Sequence, residues 1–259
     1  MTAPILTFTD ATGPSDAPLL ILGPSLGTST ALWSTTTPLL AERYRTIEWD
    51  LPGHGASPIA NSPFTVADLA DAVAAEVREL GAEPILYAGV SLGGAVGVEL
   101  AVRHPELVEA ALIIASGAKI GDPTGWRERA ALVRSASTTA LVEGSIQRWF
   151  APDSTRRDPE LTAQLLQALR DADDESYARC CEALATYDAR RQLKQIQAPL
   201  LAAWGEYDTV APYSMAVELA EGALNGKTSR IPGAAHLPPA EQPAATALLI
   251  RDFFHTVQR

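Results

Sequence analysis

Two cysteines are all that the 259 residues contain, and they are neighbours, Cys180 and Cys181. Adjacent thiols make no disulfide framework, so buried structural thiols in a reducing compartment are expected. Cations are outnumbered too: 20 lysines and arginines face 31 acidic residues, a formal net charge of −11. That balance argues against a nucleic-acid partner, whose phosphates need clustered Lys and Arg. An anionic ligand would meet an unfavourable overall field and need a local basic group. No apolar run approaches the ~18 residues of a membrane span, so no membrane partner is expected. The start, Met1 to Ile5, lacks the basic region and apolar core of a secretory signal. A soluble cytoplasmic protein is the expectation. The four histidines are dispersed, and with the cysteine pair they form no metal-ligand spacing. No glycine-rich dinucleotide fingerprint or phosphate loop occurs. Neither a metal nor a cofactor is expected, and nothing in the sequence sets the oligomeric state.

What is present is an ordinary globular composition, 47% hydrophobic and 20% charged, in a length that suits one α/β domain with an insertion. Residues 5–9 alternate as a strand. Residues 19–22 form a continuous apolar run, as in a strand buried on both faces. Residues 31–42 look helical and 46–50 form another strand. From Val66 to Leu80 apolar residues recur at three- and four-residue steps, the mark of an amphipathic helix, which Gly81 stops. Strands at 85–87 and 108–115 flank a helix-compatible segment after residue 94. This alternation implies βαβ units and a mainly parallel sheet, with helices on both faces.

The rhythm breaks after Ser116. Between 120 and 196 only helical segments are expected, at 126–135, 139–150, 159–170 and 176–185. A strand at 199–204, a helix at 215–220, a strand at 227–231 and a helix at 244–254 then restore the pattern. The expected organisation is a core of 1–119 and 197–259, with an all-helical cap at 120–196.

Chemistry concentrates at Gly89-Val90-Ser91-Leu92-Gly93, a Gly-x-Ser-x-Gly turn between an apolar strand and a helix. That context presents a serine on a strained strand-to-helix turn, which makes Ser91 the candidate nucleophile. A serine hydroxyl needs a base, and the base an orienting acid. In the chain order Ser, Asp, His, Asp208 and His236 each follow a strand, and sites in such sheets lie beyond the strands' carboxyl ends. Glu206 is a weaker alternative acid, being nearer the strand. His54 in its glycine-rich turn, His104 at a helix end and His255 after the last helix read as structural or solvated. The oxyanion formed in acyl transfer needs donors. The backbone N–H of Leu92 is one candidate, and that of Leu26, in the loop Ser25-Leu26-Gly27, is the other. Pro24 has no N–H to give; the Ser25 hydroxyl either assists or merely stabilises the turn.

Beyond these general motifs, several stretches resemble one family. They are Ala118-Lys119-Ile120-Gly121 running into Gly125-Trp126, Arg148-Trp149-Phe150, Tyr177-Ala178-Arg179-Cys180-Cys181-Glu182-Ala183-Leu184, and the Ser25-Leu26-Gly27-Thr28 loop. Together they are similar to 3-oxoadipate enol-lactonases, over nearly the whole chain. Pro24 departs from the family's usual Asn, the first antiparallel strands look abbreviated, and His236-Leu237-Pro238-Pro239 is unusually rich in proline. The resemblance implies an α/β-hydrolase fold with its cap inserted after the sixth strand. It also implies a serine hydrolase that opens a small anionic enol-lactone in aromatic catabolism. Such a substrate carries a free carboxylate, which a bidentate arginine suits best. Arg127, Arg129, Arg134 and Arg148 lie in the cap, and Arg134 is preferred because it falls on a helical face two turns from Trp126. Trp126 and Trp149 are candidates for an apolar lid wall. Another cap-bearing esterase or carbon–carbon bond hydrolase, or a non-catalytic ligand-binding protein of the same fold, are the alternatives.

Overall fold

A strand whose every residue is apolar needs cover on both faces, and Leu19, Leu20, Ile21 and Leu22 are all buried. The computed structural model, which describes residues 4–81 and 84–257, places them inside a seven-stranded sheet. Residues 1–3 of the expected signal-free start lie outside the described residues. The strands are β1 (Thr7–Phe8), β2 (Leu19–Gly23), β3 (Arg45–Asp50), β4 (Ile85–Val90), β5 (Val108–Ile114), β6 (Leu200–Gly205) and β7 (Gly226–Ile231), in spatial order β1-β3-β2-β4-β5-β6-β7. β1 is antiparallel to β3 and all other pairs are parallel. The chain leaves β2 for β3 on one side and returns to β4 on the other. The carboxyl ends of β2 and β4 therefore flank a topological switch point, where such sheets hold ligands.

The expected helix at 31–42 is broken. A 3-10 turn (Thr30–Trp33) precedes a short α1 (Thr37–Leu40). Pro38 lacks the N–H that would continue a helix through it. In addition, the Thr36 hydroxyl donates to the Pro239 carbonyl at 2.7 Å and that of Thr37 to the Glu48 carboxylate. Helix α2 (Val66–Leu80) keeps its expected bounds. Thr65 and Asp68 exchange hydrogen bonds in a capping box at its start, which satisfies two donors that the helix leaves open. Helix α3 (Leu92–Arg103) follows β4 directly and packs on β4 and β5.

Between β5 and β6 the described elements are all helical: α4 (Pro123–Ala136), α5 (Val142–Trp149), α6 (Ser154–Arg157), α7 (Pro159–Asp171) and α8 (Asp174–Thr186), with short 3-10 turns. The place of this insertion corrects one expectation. Among the described residues five strands precede it, where the resemblance implied six. The N-terminal antiparallel part is reduced to the two-residue β1 and a single bridge from Thr12 to Thr46. Helices α9 (Tyr213–Gly222), α10 (Pro238–Glu241) and α11 (Pro243–Val257) complete the chain. The four-residue α6 and α10 were not expected, being too short to show a hydrophobic period. Both cysteines are buried, unbonded thiols in α8, and burial pushes that of Cys181 up to about 12. Among the described residues no helix is long and apolar enough to cross a membrane.

The insertion is fastened to the sheet's loops around residues 52–60. The Asp173 N–H donates to the Gly53 carbonyl at 2.8 Å, and the Ala60 N–H to the Ser176 hydroxyl at 2.9 Å. Between these bonds His54 stacks on Tyr177, with ring centroids 5.8 Å apart. Its Nδ1 lies 2.9 Å from the Pro52 carbonyl, an oxygen that can only accept, so Nδ1 carries the proton. Nε2 is buried without a protein partner. Protonation would put an unmatched N–H in an apolar joint. Burial accordingly lowers the His54 pKa to about 4, with the Pro52 bond and the charge of Asp173 opposing the shift.

The unfolded ring protonates near pH 6.5 and the folded ring near 4. Between those values the unfolded chain binds more protons, so stability rises with pH across the window and is fully present above it. The span corresponds to on the order of 3 kcal/mol. Urea midpoints measured from pH 7 down to pH 4 are expected to fall more steeply for the parent than for His54→Asn. Equal slopes would refute a buried neutral ring.

Candidate active site

The carboxyl ends of β2 and β4 are held side by side by the pairing of Gly23 with Gly89, and the residues just beyond them meet directly. The Gly93 N–H donates to the Pro24 carbonyl at 2.9 Å. A Cβ on Gly93 would stand 2.5 Å from that same oxygen, so only glycine permits this approach. Ser91, between strand and helix, has φ 55° and ψ −114°, a conformation that costs a non-glycine residue roughly 1–3 kcal/mol. Neighbours over-determine it. The Ser91 N–H donates to the Ile114 carbonyl at 2.9 Å, and its own carbonyl accepts from the Ser116 hydroxyl at 2.7 Å and the Ala95 N–H at 2.9 Å.

The turn aims the first turn of α3 at the space above Ser91, with the partial positive charge of a helix N-terminus. Among the described residues neither the Leu92 nor the Leu26 N–H donates to a protein acceptor, which leaves both available. The loop that presents Leu26 is tightly wound: the Ser25 N–H donates to Thr28 Oγ1 at 3.1 Å, and the Ser25 carbonyl accepts from the Thr28 N–H and hydroxyl. Ser25 is buried, and these bonds account for its backbone as a turn residue. Gly27 has φ +83°, and around the place of its missing Cβ sit Leu169, Tyr177 and Trp149. Trp149, buried in α5, thus touches the loop of Leu26.

Asp208 and His236 come together by the same logic one sheet edge away. β6 and β7 pair out to Gly205 and Ile231, and the Tyr207 N–H donates to the Ala234 carbonyl at 2.9 Å. Asp208 Oδ2 lies 2.9 Å from His236 Nδ1, while Oδ1 accepts from the Val210 and Ala211 N–H groups at 2.7 and 3.0 Å. Desolvation raises the Asp208 pKa, but the charge and hydrogen bond of His236, with the two backbone donors, outweigh it. The carboxyl therefore stays below its usual range. An acceptor fixed on Nδ1 leaves Nε2 facing away from Asp208. Asp208 begins beyond β6, two strand spacings or about 10 Å from β4. The competing histidines lie elsewhere. His104 pairs with Asp71 at 2.7 Å beside Arg78, and His54 is locked under Tyr177.

Ser91 and His236 are only 6% and 3% exposed. Beside the Asp208 loop, however, an open cleft of about 280 Å³ is lined by Trp126, Arg129, Arg148, Thr209 and Val210, among others. Trp126 is anchored by an indole N–H bond to the Ile120 carbonyl at 2.6 Å, and the Arg129 guanidinium lies 4.8 Å over its ring. Among the described residues, half-buried Arg148 donates only to the Ser145 hydroxyl, at 3.3 Å. Burial lowers its pKa, and the like charge of Arg129 adds to the shift.

Arg134, the arginine preferred from the sequence, is not among the residues that line this cleft. Its guanidinium is occupied by Glu175 at 2.7 Å and Glu182 at 2.6 Å, and the Glu175 carboxyl, held by Arg134, drops to about 2. The helical spacing from Trp126 placed Arg134 on the α8 side of α4, where acidic partners that periodicity could not reveal were waiting. Sequence reasoning also passed over Tyr177 and Glu241. Glu241 is a buried carboxylate whose bonds reach the segment around His236, and nothing in its local sequence marks it. Among the described residues no group of three His, Cys, Asp or Glu side chains could hold a metal ion.

Residues 18–243 match the alpha/beta hydrolase fold family. The 3-oxoadipate enol-lactonase 2 of Acinetobacter baylyi is 34% identical over 233 residues, covering 90% of this chain and 87% of that protein. Carboxylesterase YbfK of Bacillus subtilis is 29% identical over 90% of this chain and 79% of its own. Among solved structures, the enol-lactonase from Burkholderia xenovorans LB400 superposes with a TM-score of 0.92 at 29% identity, covering 96% of each chain. The chain is therefore an enzyme of the α/β-hydrolase fold family, similar to 3-oxoadipate enol-lactonases over almost its whole length.

Proposed function

We propose that this hydrolase opens the ring of 3-oxoadipate enol-lactone, a small anionic lactone, to give 3-oxoadipate in the cytoplasmic breakdown of aromatic compounds. The observation that carries the reading is a strained Ser91 turn after β4 and an aspartate-bound histidine after β7 of the same parallel sheet, together with a cleft whose two arginines no carboxylate of the described residues pairs. In the proposed cycle, His236 takes the Ser91 proton as Oγ attacks the lactone carbonyl. The Leu26 and Leu92 N–H groups stabilise the oxyanion. Collapse breaks the ring C–O bond and His236 returns the proton to the departing enol oxygen. That oxygen stays tethered in the acyl-enzyme, and the enol becomes the ketone. Water, deprotonated by His236, then cleaves the ester and frees Ser91. Asp208 holds the imidazole tautomer and stabilises the imidazolium.

The helical insertion serves as the cap. In place of Arg134, Arg148 with Arg129 receives the substrate carboxylate. A half-buried cation beside a like charge gains most from an arriving anion, and a guanidinium can bind a carboxylate through two parallel bonds. Trp126 and Trp149 supply apolar walls. The Bacillus carboxylesterase keeps a second reading in play, an esterase of uncharged substrates.

Ser91→Ala is expected to cut turnover of the enol-lactone by more than roughly 1,000-fold, measured as loss of its ultraviolet absorbance. An unchanged rate would sink the nucleophile assignment. Arg148→Ala is expected to raise KM for the carboxylated lactone about 10-fold or more, the cost of a charge-assisted bond, and to spare hydrolysis of p-nitrophenyl acetate. Equal loss on both would argue against a carboxylate role. Arg134→Ala, which removes only exposed ion pairs, is expected to alter stability by no more than about 1 kcal/mol and to leave the preference for the charged lactone intact.

A further inference from the structure

Glu241 closes the short helix α10 five residues beyond His236, and its carboxylate is turned back onto the chain before it. Oε1 accepts the Ala235 N–H at 2.7 Å and the Leu237 N–H at 3.2 Å, the two amides that bracket His236. Oε2 accepts the Ala151 N–H at 2.6 Å, from the link between α5 and α6, and the Ser154 hydroxyl at 2.8 Å, from the first residue of α6. The amide in between, that of His236 itself, donates to the Trp149 carbonyl at 3.1 Å. Arg157 adds a further tie, donating to the Ser154 hydroxyl at 2.7 Å and the Gly233 carbonyl at 3.4 Å. Three consecutive amides around the histidine are thus bonded either to the cap directly or to a carboxylate that the cap shares.

We propose that Glu241 is a positioning residue for catalysis, its buried carboxylate clamping the cap segment 149–154 to the backbone on both sides of His236 so that the seating of the cap sets where the imidazole stands. The proposal rests on His236 acting as the base for Ser91. The two carboxylates act on different parts of the histidine. Asp208 fixes the ring through Nδ1, and Glu241 fixes the backbone that carries it. The residue type follows from the donor count. Four donors converge on one side chain, and only a carboxylate offers two acceptor oxygens with about four lone-pair sites. A glutamine has one acceptor oxygen, so its NH2 group must oppose N–H or O–H donors on the cap side or on the histidine side. Glu241→Gln therefore breaks the clamp with almost no change in volume.

The test compares Glu241→Gln, Ser154→Ala and the parent on p-nitrophenyl acetate, with rates normalised to active sites titrated by a fluorophosphonate. Glu241→Gln is expected to lower kcat roughly 10- to 100-fold, the scale of an ångström misplacement, with KM changed less than about twofold. The acid limb of its kcat–pH profile is expected to shift, since the base is no longer held against Asp208 in the same geometry. Ser154→Ala removes one cap donor and keeps both carboxylate oxygens and both loop bonds. It is expected to show a loss of kcat of a few fold, and it decides the question should Glu241→Gln not fold. Unchanged kcat and pH profile per titrated site in the folded variants, even with a lower melting temperature, would overturn the clamp and leave Glu241 a structural residue. If Ser91→Ala retained the parent rate, the serine–histidine reading itself would fall and the proposal with it. An inactive Ser91→Ala beside a fully active Glu241→Gln would remove the proposal alone.

Discussion

The backbone of Ser91 cannot hold φ 55° and ψ −114° by itself. Its conformation is maintained because β4 lies between β2 and β5, and both neighbours supply partners to the turn. Ile114 and Ser116, at and beyond the end of β5, bond its amide and carbonyl. Pro24, beyond β2, receives the amide of Gly93 at a distance that admits no side chain. A turn bound on two sides has little freedom to relax, which is how strain of this kind persists in a native structure. The same contacts deliver the rest of the serine's surroundings. Tying Gly93 to Pro24 brings the Leu26 loop beside the first turn of α3, so the candidate oxyanion donors and the nucleophile are set by one packing event.

At the other edge, β6 and β7 bring Asp208 and His236 within one hydrogen bond of each other. Their loops are linked to the serine's surroundings through β5, whose residue beyond the strand, Ala115, donates to Ala203 of β6 at 2.8 Å. The helical insertion then closes over all of this, by Tyr177 and Leu169 against Gly27 and by the bonds from Asp173 and Ser176 to the 53–60 loop. It also contributes Arg129 and Arg148 to the open cleft beside the Asp208 loop. The chain carries a net charge of −11, while two arginines, Arg129 and Arg148, and one carboxylate residue, Asp122, line the cleft. Screening over about 8–10 Å at ordinary ionic strength lets nearby arginines act on a ligand in the cleft despite the acidic net charge.

Much of this architecture was readable in the chain. Continuous apolar runs at Leu19 to Leu22 and Ala110 to Ile114 marked buried parallel strands, and the stepwise repeat from Val66 to Leu80 marked α2 within its observed bounds. Ser91, Asp208 and His236 were singled out because each follows a strand in the chain order a triad needs, and the structure pairs the last two. The helix at 31–42 was over-read: Thr36 and Thr37 found partners in Pro239 and Glu48, far along the chain or in another strand, and local propensity has no access to such contacts.

The sequence by itself determined the alternation of strands and helices, the helical insertion and the order of the candidate triad, because periodicity and strand-end position are local properties. Only the tertiary structure decided which cationic side chains face the cleft and which are consumed elsewhere. Arg134 and Arg148 are alike as letters on cap helices. One meets Glu175 and Glu182 on α8, while the other meets a serine hydroxyl and a second arginine. Glu241 lay equally hidden, since its four donors come from two segments some 80 to 90 positions apart in the chain. An arginine's or a carboxylate's function is fixed by its partners, and partners that distant are assigned by packing alone.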